Sequence, residues 1–103
     1  MHTQEVCKHI VVTGKVQGVG FRYYTKKFAD AFKLEGWTRN LSSGEVEILA
    51  KGDLPCVLNF LQKISYGPSF SRVDSTKVMD IELFTGNLNN LYEIKPDGDQ
   101  LWA

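Results

Sequence analysis

The residues best suited to chemistry lie in one stretch, Gly14-Lys15-Val16-Gln17-Gly18-Val19-Gly20-Phe21-Arg22. An apolar run, Ile10-Val11-Val12, leads into it and an amphipathic run leads out, so it reads as a loop between a strand and a helix. Glycines at 14, 18 and 20 allow backbone N–H groups to converge, and a helix start adds positive potential. Arg22, in the first helical turn, adds a forked donor that stays charged at any ordinary pH. A cation at a helix start is mildly disfavoured by the helix dipole, which an anionic partner offsets. The chemistry expected here is the binding of a phosphoryl group.

The elements that must hold this loop follow from periodicity. Residues 6–13 are β-branched and apolar and read as a central strand. Residues 21–34 carry Phe21, Tyr24, Phe28, Ala31 and Phe32 on one helical stripe, with Gly36 as the stop. A strand over 36–41, a turn at Ser42-Ser43-Gly44 and a strand over 45–51 form a hairpin. In its second strand Val46, Ile48 and Ala50 face the core, which predicts burial on one side. A second helix over 54–65 starts with Asp53 as cap and Pro55 in its first turn. Its predicted stripe is Leu54, Val57, Leu58, Leu61 and Ile64, and Tyr66-Gly67-Pro68-Ser69 ends it. A strand over 72–78 with room to extend to Leu83, a loop over 84–90 and a short strand over 91–95 follow. Residues 1–5 are expected to fray, and 96–103 form a polar tail that either frays or docks through Trp102.

The order β-α-β-β-α-β plus a short final strand predicts an α+β, ferredoxin-like two-layer sandwich. Its sheet is expected to be antiparallel, with two helices on one face. In such a split βαβ unit the first two strands run parallel with the third between them, so their C-terminal ends share one sheet edge. The loop, Arg22 and Asn40 at the end of the second strand can then face one cavity. An amide beside an anion cradle is able to position a water molecule.

Composition narrows the classes. The 103 residues fit one domain, with a core over about 6–95. They are 43% hydrophobic and 23% charged, a globular balance. Twelve basic and twelve acidic residues cancel, which argues against nucleic-acid or anionic-membrane partners. No apolar run approaches the ~20 residues of a membrane span, and the first residues do not resemble a signal peptide. A cytoplasmic monomer is the expectation. Cys7 and Cys56 fit no metal spacing and read as free thiols, and His2 and His9 make no ligand pair.

Gly14-x-Val16-Gln17-Gly18-Val19-x-Phe21-Arg22 resembles the first signature of the acylphosphatase family. Gly36-Trp37-x-x-Asn40 with Ser43-Gly44-x-Val46-Glu47 resembles its second, and Gly52 and Gly67-Pro68 fall in similar places. The resemblance covers roughly residues 6–95. Lys15 stands where the family more often has arginine, and Thr38 where it more often has an apolar residue. The 84–90 loop and the tail look unlike the family.

The resemblance implies a metal-independent, cofactor-free enzyme that hydrolyses acyl phosphates to a carboxylate and inorganic phosphate. It puts the catalytic arginine at Arg22 and the catalytic asparagine at Asn40. The phosphate cradle falls on the backbone of Lys15, Val16, Gln17, Gly18, Val19 and Gly20. Such a substrate carries a good leaving group, so positioning and charge stabilisation matter more than acid catalysis. Asn40 is a poor base, so it would orient the water while the substrate phosphate takes the proton. Gln17 reads as a brace for the loop, Trp37 as core, and Lys15 and Arg39 as surface charges. Ser43 lacks an activating base and is not a nucleophile. The rival reading is a non-catalytic ferredoxin-like module that binds an anion or a regulator. A ferredoxin-like RNA binder would want exposed strand aromatics and a basic surface, neither of which the sequence shows.

Overall fold

The structure is a computed structural model, and it describes residues 4–82, 86 and 88–98. The elements are β1 (Glu5–Lys15), α1 (Phe21–Ala31), β2 (Glu35–Asn40), β3 (Val46–Asp53), α2 (Leu54–Tyr66), β4 (Arg72–Ile81) and β5 (Tyr92–Ile94). One sheet has the order β4-β1-β3-β2-β5. This is the ferredoxin-like sandwich with a fifth strand added at the β2 edge. Fraying is expected over residues 1–5, but Glu5 pairs with Asp53 at the start of β1 and Gln4 O accepts the Leu54 N–H, so residues 4 and 5 are held by the sheet and α2. Residues 1–3, positions 84, 85 and 87 of the expected loop, and Trp102 lie outside the described residues.

The sheet is mixed rather than wholly antiparallel. β1 pairs antiparallel with β3 and β4, and β3 pairs antiparallel with β2, but β5 lies parallel to β2. The chain leaves β4 at one edge of the sheet and re-enters at the other. The Gly36 N–H donates to Leu91 O at 2.9 Å, and β5 then runs alongside β2 in the same direction.

Both helices cover the same face. Ile10, Val12, Val46, Ile48 and Ala50 from the sheet meet Phe21 and Ala29 of α1 and Val57, Phe60 and Ile64 of α2 in one core. α1 buries Phe21, Thr25 and Ala29, flanked by Tyr24, Phe28 and Phe32, while Ala31 is exposed. The helix ends ahead of Gly36. Lys33 turns left-handed at φ 58° and the Leu34 N–H donates to Ala29 O at 2.8 Å. Gly36 instead lies inside β2 at φ 144°, where a Cβ would sit 2.1 Å from Leu49 O.

In α2 the buried set is Val57, Phe60 and Ile64, whereas Leu58 is 52% exposed. Val57, Phe60 and Ile64, spaced by three and four, form the stripe that enters the core, and Phe60 also meets the Tyr92 ring at a centroid distance of 6.3 Å. Asp53 occupies the N-cap position without a side-chain bond. The Leu54 N–H donates to Gln4 O at 2.8 Å.

β3 is buried on both faces over residues 46–50, not on one. Its second face carries Leu49 in a small cluster with Cys7 and Trp37, against which Ile81 and Leu88 pack. Beside it the fully buried Glu47 carboxylate accepts from Arg39 Nε at 2.6 Å and bonds His9 Nε2 at 2.8 Å. Arg39 is therefore a structural ion-pair partner across the β2–β3 pair rather than a free surface charge. Its guanidinium also lies 5.4 Å from the Trp37 ring centroid.

Candidate active site

β1 and β4 shift register between Thr13 and Gly14, a bulge that re-aims the chain as it leaves the sheet. β1 runs on through Lys15, two residues past the expected strand end, and the loop proper covers 16–20. Gly18 and Gly20 have φ of 73° and 79°, and a Cβ at either would meet nothing within 4 Å. They serve the backbone conformation rather than a close contact. Gly20 is the N-cap of α1, and its carbonyl accepts the Tyr24 N–H at 3.0 Å. Among the described residues no side chain caps the helix, and no acidic residue stands in its first turn. The N–H groups of that turn are therefore left for an external acceptor, in the positive potential of the helix end.

Asn40 closes β2. It is 8% exposed, and its Oδ1 is buried with no hydrogen-bond partner among the described residues. A buried amide oxygen left unpaired carries a desolvation penalty of about 1–3 kcal/mol, which a bound water would relieve. Two features fix Asn40 relative to the loop. Gln17 Nε2 donates to Leu41 O at 2.7 Å and to Glu45 O at 2.8 Å, clamping the loop to the hairpin. Past β5 the chain continues beside β2: the Gly98 N–H donates to Asn40 O and the Ser42 N–H to Gly98 O, both at 2.9 Å. The start of the expected polar tail is thus hydrogen-bonded to the site.

A cavity of about 90 Å³ forms between these parts, lined by Val16, Gly18, Gly20, Phe21, Arg22, Tyr23 and Asn40. Of the residues singled out in the sequence, it brings together Val16, Gly18, Gly20, Arg22 and Asn40. Lys15, Gln17 and Val19 do not line it. Lys15 ends β1 opposite Arg72, Gln17 points to the hairpin, and Val19 packs on the core. Ser43 is exposed in the turn and donates to the Glu45 carboxylate. Arg22 is about one-third exposed, and its guanidinium lies 3.5 Å from the Asp97 carboxylate.

Phe21, Tyr23 and Asp97 are additions to the predicted set. Tyr23 adjoins Arg22 in sequence but was hidden in an aromatic helix. Asp97 carried no local signal.

Two larger cavities, about 510 and 480 Å³, lie at the other end of β1 around Glu5. The first is lined by four carboxylates, Glu5, Asp30, Glu35 and Asp53, against three lysines, Lys26, Lys33 and Lys51. That charge balance does not suit a phosphoryl group. The described residues contain no group of three or more His, Cys, Asp or Glu able to hold a metal ion. Cys7 and Cys56 are free thiols. Burial pushes the Cys7 thiol up to about 11, against a partial opposing pull from Lys51. Burial, with Asp30 nearby, raises the Tyr92 phenol well above its ordinary value. No helix among the described residues is long and apolar enough to cross a membrane.

A family model described as Acylphosphatase matches residues 8–87. The acylphosphatase of Chlorobaculum tepidum is 51% identical over 77 residues, 75% of this chain and 84% of the relative. Among solved structures, the acylphosphatase of Bacillus subtilis superposes with a TM-score of 0.82 at 37% identity, covering 87% of this chain and 98% of that one. An acylphosphatase from Coxiella burnetii gives a TM-score of 0.80 at 32% identity, covering 88% and 93%.

Proposed function

The chain belongs to the acylphosphatase family, a family of hydrolases, and from that premise we propose how its own residues cleave an acyl phosphate. Water attacks phosphorus, the carboxyl–phosphate bond breaks, and a carboxylate and inorganic phosphate leave. The observation that carries the assignment is that Arg22 and Asn40, from different elements, line one small cavity at an uncapped helix start.

The backbone donors of the 16–20 loop and the first turn of α1 hold the non-bridging oxygens. Arg22 grips two of them and offsets the charge that builds in the transition state. Asp97 does not block this. An exposed pair of this kind contributes roughly 0–1 kcal/mol and yields to a phosphate dianion. Asn40 Oδ1 accepts a hydrogen bond from the attacking water and aims it in line with the leaving carboxylate. Among the described residues, none that lines the cavity is a general base at neutral pH, so the water's proton passes to a phosphate oxygen. In this reading the loop and Arg22 supply the positive charge and no metal ion takes part. The enzyme acts as a single-domain monomer in the cytoplasm.

The test is hydrolysis of benzoyl phosphate in EDTA. Wild-type protein should turn over, with inorganic phosphate as a competitive inhibitor. Arg22→Ala should lose roughly 10²–10³-fold in kcat/KM together with inhibition by phosphate. Full activity in folded Arg22→Ala would remove Arg22 from the mechanism.

A further inference from the structure

The cavity is too small for the whole substrate. At about 90 Å³ it falls well short of the ~300 Å³ at the lower end of sites that enclose a complete ligand. It takes the phosphoryl group and leaves the acyl group outside. The direction in which the acyl group leaves follows from the burial of the lining residues. Asn40 is 8% exposed and forms the floor, while Tyr23 is 72% exposed and forms the rim. In-line attack places water and leaving group on opposite sides of phosphorus. A water held at the buried Asn40 end sends the acyl group out past the exposed end, where Tyr23 stands.

Phe21, the other aromatic lining residue, is fully buried and belongs to the core. Tyr66 and Phe70 are also exposed, but neither lines the cavity. Among the described residues, Tyr23 is thus the one exposed aromatic lining this cavity. An apolar ring left largely in water has area to bury against a planar apolar group.

We infer that Tyr23 selects the acyl group, favouring acyl phosphates with a flat aromatic acyl part over those with a small aliphatic one. The inference rests on the proposed roles of Arg22, the loop and Asn40. Tyr23 acts by stacking on the acyl part as it leaves the cavity. It does not touch the phosphoryl oxygens, so its contribution is to substrate choice rather than to the bond-breaking step.

Wild type, Tyr23→Ala and Tyr23→Phe are compared on benzoyl phosphate and acetyl phosphate, with the inhibition constant of inorganic phosphate measured alongside. In Tyr23→Ala the benzoyl-to-acetyl ratio of kcat/KM should fall roughly 3–10-fold, through KM for benzoyl phosphate. Tyr23→Phe, which keeps the ring, should hold the wild-type ratio. Phosphate, which has no acyl part, reports whether the cradle survives. An unchanged ratio in Tyr23→Ala, with phosphate still competing, overturns the inference and leaves the proposed function standing. Loss of the ratio in both variants also overturns it, since stacking needs only the ring. Failure of wild-type protein to turn over either substrate, or of phosphate to compete, overturns the proposed function itself and this inference with it.

Discussion

Gln17→Ala separates bracing from binding in the phosphate loop. The side chain makes two bonds, to Leu41 O at 2.7 Å and Glu45 O at 2.8 Å. Removing it orphans neither carbonyl. Leu41 O still accepts the Gly44 N–H at 3.0 Å, and Glu45 O still accepts the Leu41 N–H at 2.9 Å. The loss is therefore the net contribution of two ordinary hydrogen bonds, about 1–2 kcal/mol, without an added penalty for buried unpaired groups. Urea unfolding should show a lower midpoint at unchanged m, and Tm should fall by roughly 5–15 °C in a domain of this size. The same clamp sets the distance between the loop and Asn40. With it gone, kcat for benzoyl phosphate should fall about 10–10²-fold even where the protein is fully folded, because a small misplacement weakens in-line attack. Gln17→Glu offers an acceptor to two acceptors and should destabilise more than the alanine. A Gln17→Ala variant with wild-type midpoint and wild-type kcat would refute the reasoning.

Two further outcomes follow from the core. Burial holds Cys7 and Tyr92 in their neutral forms, with the Cys7 thiol up at about 11 and the Tyr92 phenol well above its ordinary value. Because the folded state keeps these protons longer than the unfolded chain, stability is intact below the ordinary thiol value. It is lost as pH rises from about 9 toward about 11. A Tm profile that stays flat across that window would contradict it. Phe60→Ala empties a fully buried site and should reduce stability by about 3–5 kcal/mol, whereas Leu58→Ala, at a site 52% exposed, should change it by no more than about 0.5 kcal/mol. Comparable losses at the two positions would mean that the buried face of α2 has been misassigned.

The element order and the pairing of Arg22 with Asn40 were readable because each rests on strong local signals. Strand and helix periods differ, glycines punctuate them, and a split βαβ order brings two distant strand ends together. What escaped the sequence depends on the added edge strand and on the cover over the second sheet face. Glu47 reads as a solvent-facing residue until His9 and Arg39 are placed around it. In α2 two helical stripes compete in the sequence, Val57-Phe60-Ile64 and the one through Leu54, Leu58 and Leu61, and only packing on the sheet shows that Phe60 rather than Leu58 is buried. Gly36 looks like a helix stop, yet it is needed where β2 passes close to the backbone of Leu49. In the run Phe21-Arg22-Tyr23-Tyr24, Tyr24 packs on the core while Tyr23 faces the cavity rim. Aromatic content alone does not separate them. Asp97 approaches Arg22 from 75 residues away, through backbone pairing beyond β5 that no short-range pattern encodes.

The central claim is that Asn40 orients the attacking water while the loop and Arg22 hold the phosphate. It is tested most directly by measuring, on Asn40→Ala, kcat for benzoyl phosphate and the inhibition constant of inorganic phosphate. The account predicts that kcat falls about 10²–10³-fold while the phosphate constant stays within about threefold of wild type. A kcat near the wild-type value in the folded variant would contradict it, as would a matching loss of phosphate binding.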